Sequence, residues 1–333
     1  MALFSRELGI DLGTMFTRVV SGNQVLIEEP TIAAIVVDEQ KLVAWGQEAY
    51  DMFGRVPESM EVTRPMLNGV IADYEVTEHL LRLLIRKISS RLFPPRIMIT
   101  VPYGVTSVES RAVHEAALNA GSRDVNLIPQ PLAAALGVDL PISTPTGNMI
   151  ICLGGGATQA AVLAMYGIVA ADTMRAGGMA MDEAIVNYIR KKYGVIIGQQ
   201  TAEQVKIQVG AAVPQVEEQS IEIQGQDQVT GLPRPVTMTT GEVVEALQDP
   251  LGNIIETARR VLEKTPPELI SDIIDRGVAI TGGGAKLRGI DKLLTKELGV
   301  PAYLVDNPTT CTAEGAAKGF SVFGLIRRNL PHA

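Results

Sequence analysis

The sequence has no apolar run approaching the roughly 18 to 20 residues that cross a bilayer. No helical membrane span is expected. The opening stretch "MALFSREL" is too short in apolar residues to form the core of a secretion signal. Cysteine is scarce: only Cys152 and Cys311 occur, both in apolar surroundings. Two such thiols do not make a disulfide framework, and a reducing cytosol fits them best. Histidine is scarce too. His79, His114 and His332 are scattered, and no Cys/His spacing suits a metal. Basic excess is absent: 29 Lys and Arg face 37 Asp and Glu, a net charge of −8. Nucleic acid is therefore not an expected partner, because neutralising its phosphates takes a clustered basic surface.

What is present is globular. The 333 residues are 46% apolar and 20% charged, enough for two domains of ordinary size. Three glycine-punctuated segments recur: "LGIDLGTMFTRVV" (8–20), "MIICLGGGATQAAVL" (149–163) and "GVAITGGGAKLRG" (277–289). Each reads as an apolar strand entering a glycine turn whose N–H groups can face an anion. The first two continue into a second apolar strand. The chain thus reads as two halves, each opened by the same hairpin, joined near "LPISTPTGN" (140–148).

Helices are expected over 77–92, over 106–121 with a Thr106/Glu109 capping box, and over 201–212 with Thr201 and Gln204 in the same register. A further helix is expected over 249–264, with Asp249 as cap and Pro250 first inside. Short strands are expected at 32–37, 97–101, 219–224, 235–239 and 301–305. Strand and helix alternate, so the class is α/β.

Two matching halves with facing loops predict a nucleotide in the cleft between them. "TGGGA" (281–285) suits close approach of backbone to a flat base or ribose. No G-x-x-x-x-G-K-[ST] loop and no G-x-G-x-x-G opening a helix is present. Asp11, at a strand end, is the candidate to hold Mg²⁺ through water; it could equally be a turn aspartate capping its own backbone.

Together these residues resemble the actin/hexokinase/heat-shock-chaperone ATPase superfamily and, within it, the MreB family of bacterial actin-like cell-shape proteins. The likeness runs through "GIDLGT" (9–14), "RPMLNGVIADYEVTE" (64–78), "LPISTPTGNMI" (140–150), "TAEQVKIQVGAA" (201–212), "VTGLPRPVTMT" (229–239), "LEKTPPELISDIIDRGVAITGGGAKLRGIDKLL" (262–294) and "TAEGAAKG" (312–319). It implies an actin-like (ribonuclease-H-like) two-domain fold with four subdomains and a nucleotide cleft between the halves. The halves would be 1–141 and 142–320, with outer lobes at about 32–62 and 182–243 and a tail at 321–333. It implies ATP/ADP and Mg²⁺ as cofactors. Asp11, Gly13 and Thr14 match the first phosphate loop, followed by Met15 and Phe16. Gly154, Gly155 and Gly156, followed by Ala157, match the second. Glu203 and Lys206 match the adenosine-pocket pair, against the alternative of a solvated salt bridge. Gly282, Gly283, Gly284 and Ala285 match the loop behind the adenine.

The sequence also departs from the family pattern. The second loop of the family reads Asp-x-Gly-Gly-Gly-Thr-Thr; here Cys152 stands for the aspartate and Ala157 for the first threonine. Met15 and Phe16 replace Ala and Asn. Gln130, in "IPQPLAAALG" (128–137), takes the place of the water-positioning glutamate. Glutamine can orient water but cannot take its proton. A thiol is a poor ligand for Mg²⁺. Cys152 is expected to be a small apolar residue at a buried strand end.

Leu92 and Phe93, in "SSRLFPPR", suit insertion at a lipid surface flanked by Arg91 and Arg96, or else staple their own core. Leu3 and Phe4 form a second apolar tip. The resemblance implies self-assembly into filaments on the inner face of the cell membrane, with cell-wall elongation proteins as partners. Slow or absent hydrolysis is expected. An active kinase- or chaperone-type ATPase and a non-cycling scaffold are the alternatives.

Overall fold

The computed structural model describes residues 6–39, 41–90 and 92–329. Leu3 and Phe4 of the second apolar tip, Arg91, His332 and the last residues of the tail lie outside the described residues.

Two five-stranded sheets share one strand plan. In the first, Glu7–Leu12 pairs antiparallel with Phe16–Ser21, which pairs with Gln24–Pro30. On its other side Glu7–Leu12 pairs parallel with Arg96–Val101, which pairs parallel with Asp124–Pro129. In the second, Asn148–Leu153 pairs antiparallel with Thr158–Ala164, which pairs with Gly167–Met174. Its other neighbour is Val278–Thr281, followed by Ala302–Leu304, both parallel. The hairpin repeat read in the sequence is therefore a repeat of the whole sheet. Asn148–Leu153 and Thr158–Ala164 are buried at every position. Helices cover both faces of such a sheet, which is why these strands read as unbroken apolar runs rather than as alternation.

Two three-stranded sheets lie outside the main pair. Ala33–Val36 joins Lys41–Trp45 and Met60–Thr63 over a core of Ile32, Ala34, Ala44 and Ala49. Val195–Ile196, Ser220–Asp227 and Pro233–Thr239 form the other. Helices Gly178–Tyr193 and Gln199–Val209 pack with it.

The expected capping box closes: the Glu109 N–H donates to Thr106 Oγ1 at 3.2 Å, and the Thr106 N–H donates to Glu109 Oε2 at 2.8 Å. Three other helix starts differ from expectation. The helix expected from 77 runs Tyr74–Ile88, because Asp73 Oδ1 accepts the Val76 N–H at 3.0 Å and caps it earlier. Thr201 lies inside Gln199–Val209, which starts at Gly198 without a side-chain cap. Asp249 lies in the first turn of Gln248–Glu263, not at its cap, because the preceding helix Thr240–Ala246 runs straight into it. There its charge still suits the positive end of the helix.

The final helix, Cys311–Asn329, returns to the first sheet and lies against helix Gln130–Gly137 with almost no side chain between them. A Cβ at Gly315 would stand 1.6 Å from the Ala133 carbonyl oxygen, and one at Gly137 would stand 1.9 Å from that of Cys311. Around this seam one core cluster draws on both sheets, with Met98 and Ile128 from the first and Ile150, Ala161 and Leu163 from the second. The seam gives a test with opposite signs along one helix. Gly315→Ala should cost more than about 1 kcal/mol by overpacking, outweighing its helix propensity. Gly324→Ala, with nothing within 4 Å of the added methyl, should gain about 0.5–1 kcal/mol. Urea unfolding of both variants reads the difference.

Candidate functional site

A cavity of about 540 Å³ opens between the two sheets. Both hairpins aim their turns into it. Gly13 donates its N–H to the Phe16 carbonyl at 3.1 Å, and Gly154 donates to the Ala157 carbonyl at 2.9 Å, so the two turns close alike. Their tips, Thr14–Met15 and Gly155–Gly156, keep their N–H groups out of these bonds, as an anion-binding turn requires.

The tips meet. A Cβ at Gly156 would lie 2.3 Å from Thr14 Oγ1, and one at Gly155 would lie 2.1 Å from Met15 Cγ. Any side chain at 156 would push the halves apart. Thr14 Oγ1 also accepts the Gly69 N–H at 2.9 Å, so this hydroxyl ties both loops to a third segment.

The structure brings Asp11, Gly13, Thr14, Met15, Phe16, Gln130, Gly154, Gly155, Gly156, Ala157, Glu203, Lys206, Gly282, Gly283 and Gly284 to the wall of one cavity. Ala285 is buried behind that wall and does not line it. Leu92 and Phe93 are elsewhere, in the loop after Tyr74–Ile88.

Asp11 is buried, and burial pushes its carboxyl above the usual range. Hydrogen bonds from Thr100 and Gln130 and the Arg18 charge pull the other way. Its Oδ1 accepts from the Thr100 hydroxyl at 2.7 Å and from Gln130 Nε2 at 3.4 Å. Gln130 Oε1 accepts in turn from Gln159 Nε2, and Gln159 Oε1 accepts the Tyr103 N–H at 2.7 Å. This chain of amides holds Gln130 at both ends. None of its amides is basic enough to take a proton from water.

Cys152 is the penultimate residue of Asn148–Leu153, the strand before the second turn. Burial pushes its thiol up to about 12, against a hydrogen bond with Thr281, and Cys311 is pushed equally high by burial. Both stay protonated at neutral pH, so the small-apolar reading of Cys152 fits.

Glu203 and Lys206 share a helix but do not pair with each other. Lys206 Nζ reaches Asp182 Oδ1 at 2.6 Å and donates to the Gly178 carbonyl at 3.0 Å. Glu203 Oε2 accepts from the Tyr50 hydroxyl at 2.9 Å, and Gln200 Nε2 donates to the Tyr50 carbonyl at 2.9 Å. Tyr50 belongs to helix Gln47–Met52 beside the first small sheet. Two hydrogen bonds therefore cross the cleft from one small lobe to the other. The Arg64 Nε and Nη1 are buried next to them without a hydrogen-bond partner, in the field of Glu203, Tyr50 and Asp182.

Sequence reading missed Arg18, Tyr50, Gln159 and Asp182. Only Arg18 carried a local signal. It lies as far past the first turn as Asp11 lies before it, so a hairpin must place the two opposite each other.

Magnesium asks for several hard oxygens in octahedral order. At the tips the protein offers one carboxylate, Asp11, pushed toward its neutral form and faced by Arg18. Opposite stands a protonated thiol. Glu28 is paired with Arg18, Asp182 with Lys206, and Glu203 is bound by Tyr50. Among the described residues no group of three or more His, Cys, Asp or Glu side chains is placed to hold a metal. This donor set does not fit a protein-held magnesium ion.

Asp182 gives a pH test. Burial raises it from 3.8 to about 6 in spite of Lys206. The folded state therefore binds its proton more tightly than the unfolded state does. That contribution is full below about pH 4 and lost as pH rises through about 6. Relative to Asp182→Asn, the wild type should gain up to about 3 kcal/mol of unfolding free energy between pH 7 and pH 4. Denaturant titrations across that range check it.

The whole chain has relatives. The profile of the family described as MreB/Mbl protein matches residues 5–327. Cell shape-determining protein MreB of Escherichia coli (strain K12) is 43% identical over 331 residues, spanning 97% of this chain and 95% of that protein. Cell shape-determining protein Mbl of Bacillus cereus (strain ATCC 10987 / NRS 248) is 45% identical over 316 residues, spanning 94% and 95%. The crystal structure of MreB5 of Spiroplasma citri bound to ADP superposes with a TM-score of 0.92 at 31% identity, covering 98% of this chain and 99% of that one. With its two like sheets and the cleft between their hairpins, the chain has the actin-like fold and belongs to the MreB/Mbl family.

Proposed function

We propose that this protein is a cytoskeletal subunit that binds adenine nucleotide in the cleft and polymerises with copies of itself to set cell shape. The observation that carries the reading is the meeting of two glycine turns on one cavity whose far wall is Gly282–Gly284. Phosphates fit against the free amides of the turns, and a flat base fits where glycine leaves no Cβ. The likeness to an ADP-bound MreB5 supports this use of the cleft. The names of the E. coli and B. cereus relatives support the cell-shape role. Subunits that contact head to tail form open filaments.

The cleft favours holding nucleotide over turning it over. Gln130 is fixed by Gln159 and Asp11, so it orients a water without deprotonating it. The magnesium expected beside Asp11 meets a protein donor set that does not fit it.

The filament works at the inner face of the cell membrane, beside the cell-wall elongation proteins. Leu92 is 83% exposed and Phe93 50% exposed, at the tip of one loop. Arg96 does not serve as a free basic flank, because it pairs with Glu7 at 2.8 Å and Asp124 at 3.5 Å. Lipid contact rests on the apolar tip, repeated along a filament. No helix among the described residues is long and apolar enough to cross a membrane.

Sedimentation with ATP and anionic liposomes tests the reading. The protein should pellet with nucleotide and recruit liposomes. Leu92→Ser with Phe93→Ser should lose most of the liposome-bound fraction while keeping the filaments. A chain that stays monomeric at every concentration, nucleotide and salt overturns the assembly claim.

A further inference from the structure

We propose that Arg18 is the cleft's built-in counter-charge for phosphate, so that this site takes its nucleotide without a divalent cation. The inference rests on the nucleotide reading above and deepens it.

Arg18 sits on Phe16–Ser21, directly opposite Asp11 in the antiparallel register. Directly opposed residues project from the same face of a sheet, so Arg18 shares the face from which Asp11 meets the cleft. It lines the cavity together with both glycine turns. Its side chain is only 11% exposed. Two neighbours fix its position. The Phe16 ring lies under the guanidinium, 5.0 Å from its carbon. On the next strand, Glu28 Oε1 accepts from Nε at 2.9 Å and lies 2.9 Å from Nη2. Both contacts go to a single carboxylate oxygen. A guanidinium has five N–H donors, so most of the fork stays available for a phosphate.

Among the described residues the other cations on the cavity wall are placed elsewhere or engaged: Lys286 ends the short helix Gly283–Lys286 on the far wall. Lys206 is committed to buried Asp182, and Arg288 donates to the Gly210 carbonyl at 2.9 Å and to Gln219. A metal ion at the tips would face one carboxylate, one thiol and the fixed positive charge of Arg18. The guanidinium supplies permanently the attraction that the ion would otherwise bring. A partly buried arginine–phosphate contact is among the stronger charge-assisted bonds.

The test is a binding titration of the full-length chain with a fluorescent ATP analogue, in excess EDTA and in excess Mg²⁺. Circular dichroism and thermal unfolding verify that each variant is folded. The wild type should bind in EDTA within about threefold of its affinity in Mg²⁺. Arg18→Leu should lose about tenfold or more in EDTA and recover when Mg²⁺ is added, while Arg18→Lys should keep an intermediate affinity. The split between EDTA and Mg²⁺ separates a phosphate contact from a strut, since a purely structural Arg18 would weaken binding equally in both. Wild-type binding that collapses in EDTA overturns the inference and leaves the nucleotide reading standing. So does an Arg18→Leu variant that binds like the wild type in EDTA. Failure to bind under either condition overturns both.

Discussion

The structure depends on two hairpin tips touching across a cleft. Thr14 meets Gly156 and Met15 meets Gly155 at distances that leave no room for a Cβ on the second loop. That contact fixes how closely the halves approach and therefore the size of the cavity behind it. The duplicated sheet supplies two such turns facing each other. The bare seam between Gln130–Gly137 and Cys311–Asn329 then holds the first sheet to the chain's last helix at a spacing only small residues allow. Glycine thus acts at two scales, setting the shape of each turn and the approach of the elements behind them.

Behind the tips the chemistry is quiet. Burial pushes the Asp11 carboxyl up, Cys152 and Cys311 keep their protons, and Gln130 is held between the Gln159 amide and the Asp11 carboxyl. At the tips such a site binds through dipoles and the Arg18 guanidinium. Across the mouth, Tyr50 joins the small lobes through Glu203 and Gln200. Glu203 thus faces the cavity and bridges the lobes at once.

Much of this could be read in the sequence, for identifiable reasons. The hairpins were visible because a strand, a glycine turn and a second strand are local. The Thr106 box was visible because its two partners are three residues apart. The 74–88 helix starts earlier than its apolar pattern suggests, because Asp73 precedes that pattern and caps the helix. In the fold Thr77 turns its hydroxyl back to the Asp73 carbonyl at 2.6 Å. Glu203 and Lys206 were recognised, but their partners were not. Tyr50 and Asp182 come from other segments, and only tertiary structure brings them together. Arg18 needed no tertiary knowledge, only the hairpin register.

The facing turns hold nucleotide in a pocket whose water-orienting residue, Gln130, cannot take the water's proton. Single-turnover hydrolysis of bound, labelled ATP measures this directly. The label should stay as ATP through many filament assembly times, and Gln130→Glu should speed its conversion. Prompt conversion by the wild-type chain, at the rate of an ordinary ATPase, would contradict it.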